Sequence, residues 1–381
     1  MKRQGSIQKK GDIYYAVFAV GAKRKWIRGG KTKADAQRVL NENLYELDNG
    51  TYKSVPKQTF GEFAARWLKA HTAKQLKGST AVYYGGVIER LASLNDRQMA
   101  DITTGDLDDY LAKRLEIVSR NTARNDVTVI KLLFRAAKKQ GYIKVNPAED
   151  LDRPKREKSS IELLTPDEVG IFLNSCDRGL YCVAFLTAIR TGLRAGELWG
   201  LQWGDIDWRS KKIHVRRSVW AKTFQTPKSD HSIRTVDVPD SLLSELKAWK
   251  LACPISEHDL VFPTKKGGIT KHDCAIKRHF LPALRRAGLR HVSFHSLRHT
   301  NASMRIQYGQ SPKYISQQLG HSSIQITMDI YGHLFKDTDF ARQQVDLLEA
   351  GFQAAVRKPL ENASHVEDKG GSESPITLVV A

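Results

Sequence analysis

The segment Tyr181 to Ile189 is almost entirely apolar. It falls well short of the roughly 20 residues that span a bilayer, yet it leaves no polar face for a surface helix. A helix that is hydrophobic all round has to be wrapped by other elements, so this one sets the centre of a folded domain. Directly after it comes Thr191-Gly192-Leu193-Arg194-Ala195-Gly196-Glu197-Leu198. Gly192 is free to adopt the left-handed cap conformation, which turns the chain and presents Arg194 at a corner between two helices. An arginine on a rigid corner suits bidentate recognition of a phosphate. Glu197, one turn further on, is placed to orient Arg194 rather than to act as an acid.

The 381 residues exceed one ordinary domain and suggest two or three. Residues 1–57 carry 13 Lys and Arg against 5 acidic residues. Tyr14 to Ala19 alternates like a strand, Gly21-Ala22-Lys23 makes a turn, and Trp26 to Arg28 begins a second extended piece. Thr32 and Asp35 then open a helix with Ala36, Val39, Leu40, Leu44 and Leu47 on one face. The expectation is a small sheet packed on a helix. Its basic, aromatic face suits DNA, although a charge run of this kind is also what a solvated surface looks like.

Residues 58–151 read as all helix. Thr59 with Glu62, Ser79 and Thr104 mark three helix starts, and a long fourth helix ends at Gly141. The aromatics fall on the apolar stripe and so belong to a core rather than to base stacking. Lys131, Arg135, Lys138 and Lys139 are left to face phosphates. A charged, proline-containing linker covers 152–162. The third domain, 163–350, opens at Thr165-Pro166-Asp167-Glu168, a helix start with its acids on the positive dipole end. Ile213 to Val215 and Thr235 to Val238 predict short strands. A helix near Phe340 to Ala354, with Val345, Leu347 and Leu348, is expected to dock on a neighbouring protomer, and 351–381 reads as a disordered tail. The fold class is multidomain and predominantly α with small β-sheets: a sheet-plus-helix first domain, a helical second and an α+β third.

A net charge of +20 and a pI near 9.7 point to a polyanionic partner. No apolar run approaches the length of a spanning helix and the N-terminus lacks an apolar signal core, which predicts an intracellular protein. Cys176, Cys182, Cys253 and Cys274 are scattered with no C-x-x-C pair, so reduced structural thiols are expected and no metal or other cofactor is called for.

The remaining polar candidates lie in the third domain. His295 and Arg298 stand three residues apart, on one face of a helix start. His295 and His299 have the spacing of a zinc-binding H-E-x-x-H motif, but Ser296 replaces the carboxylate and no third ligand follows. His321 follows the helix-ending Leu319-Gly320, which points it toward a cleft. Tyr331 comes ten residues later. Alone it would be a core tyrosine. A tyrosine at pKa ~10 is only about 0.1% ionised at pH 7, a cost of roughly 4 kcal/mol that neighbouring cations and a proton acceptor can offset. Arginines and imidazoles stabilise the charge that builds on a phosphodiester under attack. Lys228, in the turn Thr226-Pro227-Lys228-Ser229-Asp230 between the two strands, is placed to protonate the leaving oxygen or simply to contact a phosphate; Lys222 is close by.

In order and combination these motifs resemble the tyrosine recombinase family, with the layout of a phage-type integrase. Leu193 to Leu198, followed by Leu201-Gln202-Trp203-Gly204-Asp205-Ile206-Asp207, matches its first box. His295 to His299, Leu319-Gly320-His321 and Tyr331 match the second. The resemblance implies Tyr331 as the nucleophile of a 3′-phosphotyrosyl bond, with Arg194 and Arg298 clamping the phosphate. His295 would take part in proton transfer from the tyrosine, His321 would hydrogen-bond the phosphate, and Lys228 would protonate the 5′ oxygen. It further implies recombination by four protomers on double-stranded DNA without metal or ATP, in the cytoplasm of a bacterial host. Residues 58–151 would hold core sites, residues 1–57 separate arm sites, and DNA-bending proteins could assist. A non-catalytic DNA-binding protein and a relaxing topoisomerase are the alternatives. The first has no need of the full set of six polar residues, and the second no need of an arm-like module.

Overall fold

A computed structural model of the chain describes residues 5–52, 56–73, 77–157, 162–225, 233–332, 342 and 344–353. It divides into two compact units, Met1–Lys158 and Ser159–Ala381.

The first unit begins with three antiparallel strands in the order β1 (Gly5–Lys10), β2 (Ile13–Val20) and β3 (Lys23–Gly30), covered by α1 (Lys33–Asp48). Ala16 and Phe18 of β2 pack with Leu40 and Leu47 of α1 in a small core. The Thr32 hydroxyl accepts from the Asp35 amide at 3.2 Å, which fixes the start of α1. The sheet-plus-helix expectation therefore holds, with one strand more than foreseen. β1, Gly-Ser-Ile-Gln-Lys-Lys, is almost wholly exposed and gives no apolar alternation to read.

The helices α2 (Phe60–Ala73), α3 (Gly78–Arg90), α4 (Thr104–Ile117) and α5 (Arg120–Lys139) follow. Phe60, Phe63, Trp67, Val127, Ile130 and Phe134 lie in their common core, so the aromatics on the apolar stripe do pack inward. The second of these helices starts at Gly78, a residue earlier than Ser79 would set it. At its centre the fully buried Asp126 carboxylate accepts from the Tyr83 hydroxyl at 2.5 Å, Tyr110 at 3.1 Å, Arg90 at 3.2 Å and Arg114 at 2.8 Å. Burial acts to raise this carboxyl, but the bonds from Tyr83 and Arg114 prevail and hold it below the usual range. Lys144, beyond α5, donates to Asn43 at 2.8 Å and Glu46 at 2.6 Å on α1, joining the sheet module to the helical one.

The second unit is built around the apolar helix. It contains α6 (Pro166–Asn174), α7 (Leu180–Thr191) and α8 (Ala195–Trp199), then β4 (Ile206–Asp207), β5 (Lys212–Val215), β6 (Ser218–Trp220), β7 (Thr223–Gln225) and β8 (Arg234–Asp237). After these come α9 (Asp240–Ala252), α10 (His272–Ala275), a π-turn over Ile276–Phe280, α11 (Leu281–Arg286), α12 (His295–Gln307), α13 (Pro312–Leu319) and α14 (Ile324–Tyr331). Thr165 closes a reciprocal capping box with Glu168 at the head of α6. Ala184, Phe185, Ala188 and Ile189 of α7 are buried in the main core with Phe172, Trp199, Phe280 and Phe294.

The two predicted strands do pair, as β5 with β8 in the register Ile213↔Val236 and Val215↔Arg234, and β4 completes that sheet. Between them, however, the chain inserts a second hairpin, β6–β7, turning at Ala221 and Lys222 with φ of 48° and 65°. Neither turn residue is Gly or Asn, so the usual hairpin signal is missing. Thr226 to Asp230, and with it Lys228, lies outside the described residues. Residues 344–353 are helical, with Val345, Leu347, Leu348 and Phe352 exposed. Phe340, Ala354 and the tail beyond lie outside the described residues.

Candidate active site

Two helix ends meet at the site. Helix α7 terminates at Gly192 with φ +67°, and α13 at Gly320 with φ +65°, both in the left-handed region. A Cβ on Gly192 would stand 2.6 Å from Leu319 Cδ2 and 2.9 Å from Asn301 Oδ1, so no larger residue allows α12 and α13 to approach this corner so closely. The last carbonyls of a helix have no partner within it and form the negative end of its dipole. Here guanidinium groups supply the missing donors. Arg298, buried at 3% exposure, donates from Nη1 to Gly192 O at 2.8 Å and from Nη2 to Leu319 O at 2.6 Å. Arg194 donates from Nη2 to Gly320 O at 3.0 Å.

Arg194 also donates from Nη1 to Glu197 Oε1 at 2.8 Å, and its backbone amide donates to Oε2 at 3.0 Å. Glu197 is thus the orienting partner expected from the sequence. The same carboxylate takes a second, bidentate partner that sequence reasoning missed. Arg234 of β8 donates from Nη1 to Oε1 at 3.1 Å and from Nη2 to Oε2 at 2.9 Å, while its Nε donates to Gln318 O at 2.8 Å. Burial acts to raise the Glu197 carboxyl, yet Arg234 and then Arg194 outweigh it and hold the group below its ordinary range. Three arginines therefore surround one buried carboxylate. Burial, then Arg194 and Arg234, push Arg298 down to about 9, which still leaves it charged at neutral pH.

The imidazoles sit in this positive field as neutral bases. His321, whose Nδ1 lies 2.8 Å from Thr327 Oγ1, is driven down to about 3 by burial and by Arg298, Arg194 and Arg234. Burial and then Arg298 also lower His295. The His295 ring meets His299 edge-on at 4.7 Å between centroids. His299 Nδ1 lies 2.5 Å from the hydroxyl of Tyr331. Tyr331 is 2% exposed, and burial pushes its phenol up to about 12 against the opposing pull of Arg298. Ionising it ahead of any attack would cost about 7 kcal/mol at pH 7, so the proton has to leave as the new bond forms.

Of the six residues singled out, Arg194, His295, Arg298, His321 and Tyr331 are linked here by hydrogen bonds, ring contact or mutual electrostatic influence, and Lys228 falls outside the described residues. A cavity of about 520 Å³ opens beside them, lined by Lys212, Arg234, Tyr314, Gln318, Gly320 and His321. Among the described residues, no three His, Cys, Asp or Glu side chains group as metal ligands, and no helix is long and apolar enough to cross a membrane.

A buried tyrosine bonded to an imidazole, beside a cluster of arginines, is equipped for phosphoryl transfer to a protein hydroxyl. The comparisons with known proteins bear on the family. Residues 162–338 match the phage integrase family, and residues 59–115 match the phage integrase N-terminal SAM-like domain. A XerC-like tyrosine recombinase of Caldanaerobacter subterraneus subsp. tengcongensis is 29% identical over 375 residues, covering 88% of this chain and 96% of the relative. The ICEBs1 integrase of Bacillus subtilis is 28% identical, covering 65% of this chain and 72% of its own.

Among solved structures, the Tn1549 transposon integrase in complex with a circular intermediate DNA superposes with a TM-score of 0.63 at 20% identity, over 76% of this chain and 99% of that one. A lambda integrase dimer bound to a COC′ core site gives 0.60 at 19% identity, over 84% and 94%. At those identities the structures speak to the fold. The chain belongs to the tyrosine recombinase family and is a site-specific recombinase.

Proposed function

We propose that the protein integrates or excises a phage or other mobile element by cutting and rejoining DNA through a 3′-phosphotyrosyl intermediate. Tyr331 attacks the scissile phosphate and Arg194 and Arg298 clamp its non-bridging oxygens. His321 hydrogen-bonds the same phosphate, His295 belongs to the proton-transfer cluster, and Lys228 protonates the departing 5′ oxygen. Glu197 supports Arg194. The observation that carries this reading is a meeting of three guanidinium groups: Arg194 and Arg234 pair with the buried Glu197, and Arg298 beside them donates to the helix-end carbonyls of Gly192 and Leu319. A phosphodiester is the anion that such a cluster of cations is suited to hold.

Residues 58–151 hold the core site, residues 1–57 an arm site, and 163–350 form the catalytic domain, with 152–162 as linker. The basic composition supports double-stranded DNA as partner, and the lambda integrase tetramer bound to a Holliday junction supports assembly of four protomers. The protein acts in the bacterial cytoplasm, and DNA-bending accessory proteins assist it.

The test uses nicked duplexes from DNA flanking the gene, with wild-type protein and Tyr331→Phe. A covalent protein–DNA band that survives detergent is expected with wild type alone. Both proteins shifting the DNA and neither forming the band would favour a binding-only role. A band that persists in the mutant would displace Tyr331.

A further inference from the structure

We propose that His299 is the catalytic base that removes the Tyr331 proton during strand cleavage and returns it during rejoining. The inference rests on the recombinase reading of the site. Its ground is contact: His299 is the imidazole bonded to the Tyr331 hydroxyl, at 2.5 Å through Nδ1. His295 meets the His299 ring in an edge-to-face contact instead, and His321 is bonded to Thr327.

Local structure fixes this choice. His295 and His299 lie one turn apart on α12, so both project from the same face, with His299 a turn deeper along the helix. Tyr331 closes α14 and is packed with Ala302, Ile306, Ile315 and Leu319, which set its ring against the α12 face that carries His299. The acceptor role also follows from charge. His295 and Arg298 face His299 from its own helix, Tyr331 from α14, and His321 from the turn between α13 and α14. Burial, His295 and Arg298 bring the imidazole down to about 4, so it is neutral at pH 7. In the tautomer that carries its proton on Nε2, the Nδ1 lone pair accepts from the Tyr331 hydroxyl.

The step balances without a further reactant. The Oη–H bond of Tyr331 breaks and its proton passes to His299 Nδ1 as the Oη–P bond forms. The P–O5′ bond breaks, and the leaving oxygen takes its proton from a separate donor. The resulting imidazolium is stabilised by the phosphate, whose negative charge opposes the cations that hold the free imidazole's basicity down. When an incoming 5′ hydroxyl attacks the phosphotyrosine, its proton passes to the donor that protonated the first leaving oxygen, the Oη–P bond breaks, and the imidazolium gives its proton back to Tyr331 Oη.

The test is the single-turnover rate of covalent complex formation on a nicked duplex, with DNA affinity measured in parallel. His299→Asn keeps an acceptor near the position of Nδ1 but cannot hold a proton. It is expected to bind DNA as wild type does and to cleave about 10²–10⁴-fold more slowly. His299→Ala is expected to be equally slow and to recover rate when imidazole is added. His295→Asn and His295→Ala serve as controls, with a smaller loss and no response to imidazole. Wild-type cleavage by His299→Asn, recovery by Asn without recovery by imidazole, or imidazole rescue confined to His295→Ala would each overturn the assignment. Tyr331→Phe separates the two layers. If wild type forms no adduct the recombinase reading itself fails, whereas an adduct formed at undiminished rate by His299→Asn sinks only the role of His299.

Discussion

Two of the buried polar clusters among the described residues are opposite in design. In the helical module, Asp126 is a saturated carboxylate: two tyrosine hydroxyls and two arginines fill it, and Arg90 and Arg114 keep side-chain exposures of 33% and 17%. In the second unit Arg298 is 3% exposed and the Arg234 side chain 6%, with Arg194 beside them, and among the described residues Arg194 and Arg234 share the Glu197 carboxylate. The first cluster is a single anion ringed by donors, whereas in the second Arg194 and Arg298 also lean on helix-end carbonyls. A saturated cluster holds a fold together. A cluster of guanidiniums resting on helix-end carbonyls is suited to an anion that binds from outside, and its electrostatics strengthen once water is excluded.

Substitutions that unbalance each cluster should separate these roles. The largest effect is expected for Arg298→Ala, with cleavage slowed about 10²–10³-fold and the thermal midpoint moved less than by any change at Asp126. A loss of folding equal to the loss of rate would break the contrast. Asp126→Asn comes next. It leaves two guanidiniums without their buried counter-charge, and about 3–5 kcal/mol of unfolding free energy should go, read by urea titration. The fraction still folded should cleave normally.

The pH dependence sharpens the same point. Because the folded carboxyl of Asp126 lies below its unfolded value, its contribution is complete above the unfolded pKa. It is lost as pH falls through about 4 and below. The helical module should therefore be acid-labile in the wild type, and less so in Asp126→Asn. Smaller still is Glu197→Gln, which keeps one acceptor oxygen for Arg194 and Arg234 but removes the charge and replaces the second oxygen with an NH2 group that cannot accept. A stability loss of about 1.5–3 kcal/mol is expected, together with a cleavage defect that higher salt does not restore.

Much of the site was legible because its signals are local. A glycine beyond an apolar helix, His and Arg three apart, and Gly-His after a capped helix each announce themselves within a few residues. Arg194 and Glu197 could be paired from spacing alone, and their contact is the one observed. What escaped depends on tertiary register. Arg234 precedes the residues read as a strand, and it finds Glu197 only because β8 pairs with β5 and passes the end of α13. His299 was considered only as half of a zinc-like pair. Its bond to Tyr331 spans 32 residues and needs α12 and α14 to pack, which no local pattern states. The polar strand β1 and the hairpin turning on Ala221 and Lys222 were hidden for the opposite reason: their sequences carry none of the usual signs of what they form.

The most direct measurement is to trap the covalent complex on a nicked duplex, digest it, and find by mass spectrometry which peptide carries the nucleotide. The account predicts a 3′-linked nucleotide on Tyr331. A nucleotide on another side chain, such as Tyr308 or Tyr314, or one joined through its 5′ phosphate, would contradict it.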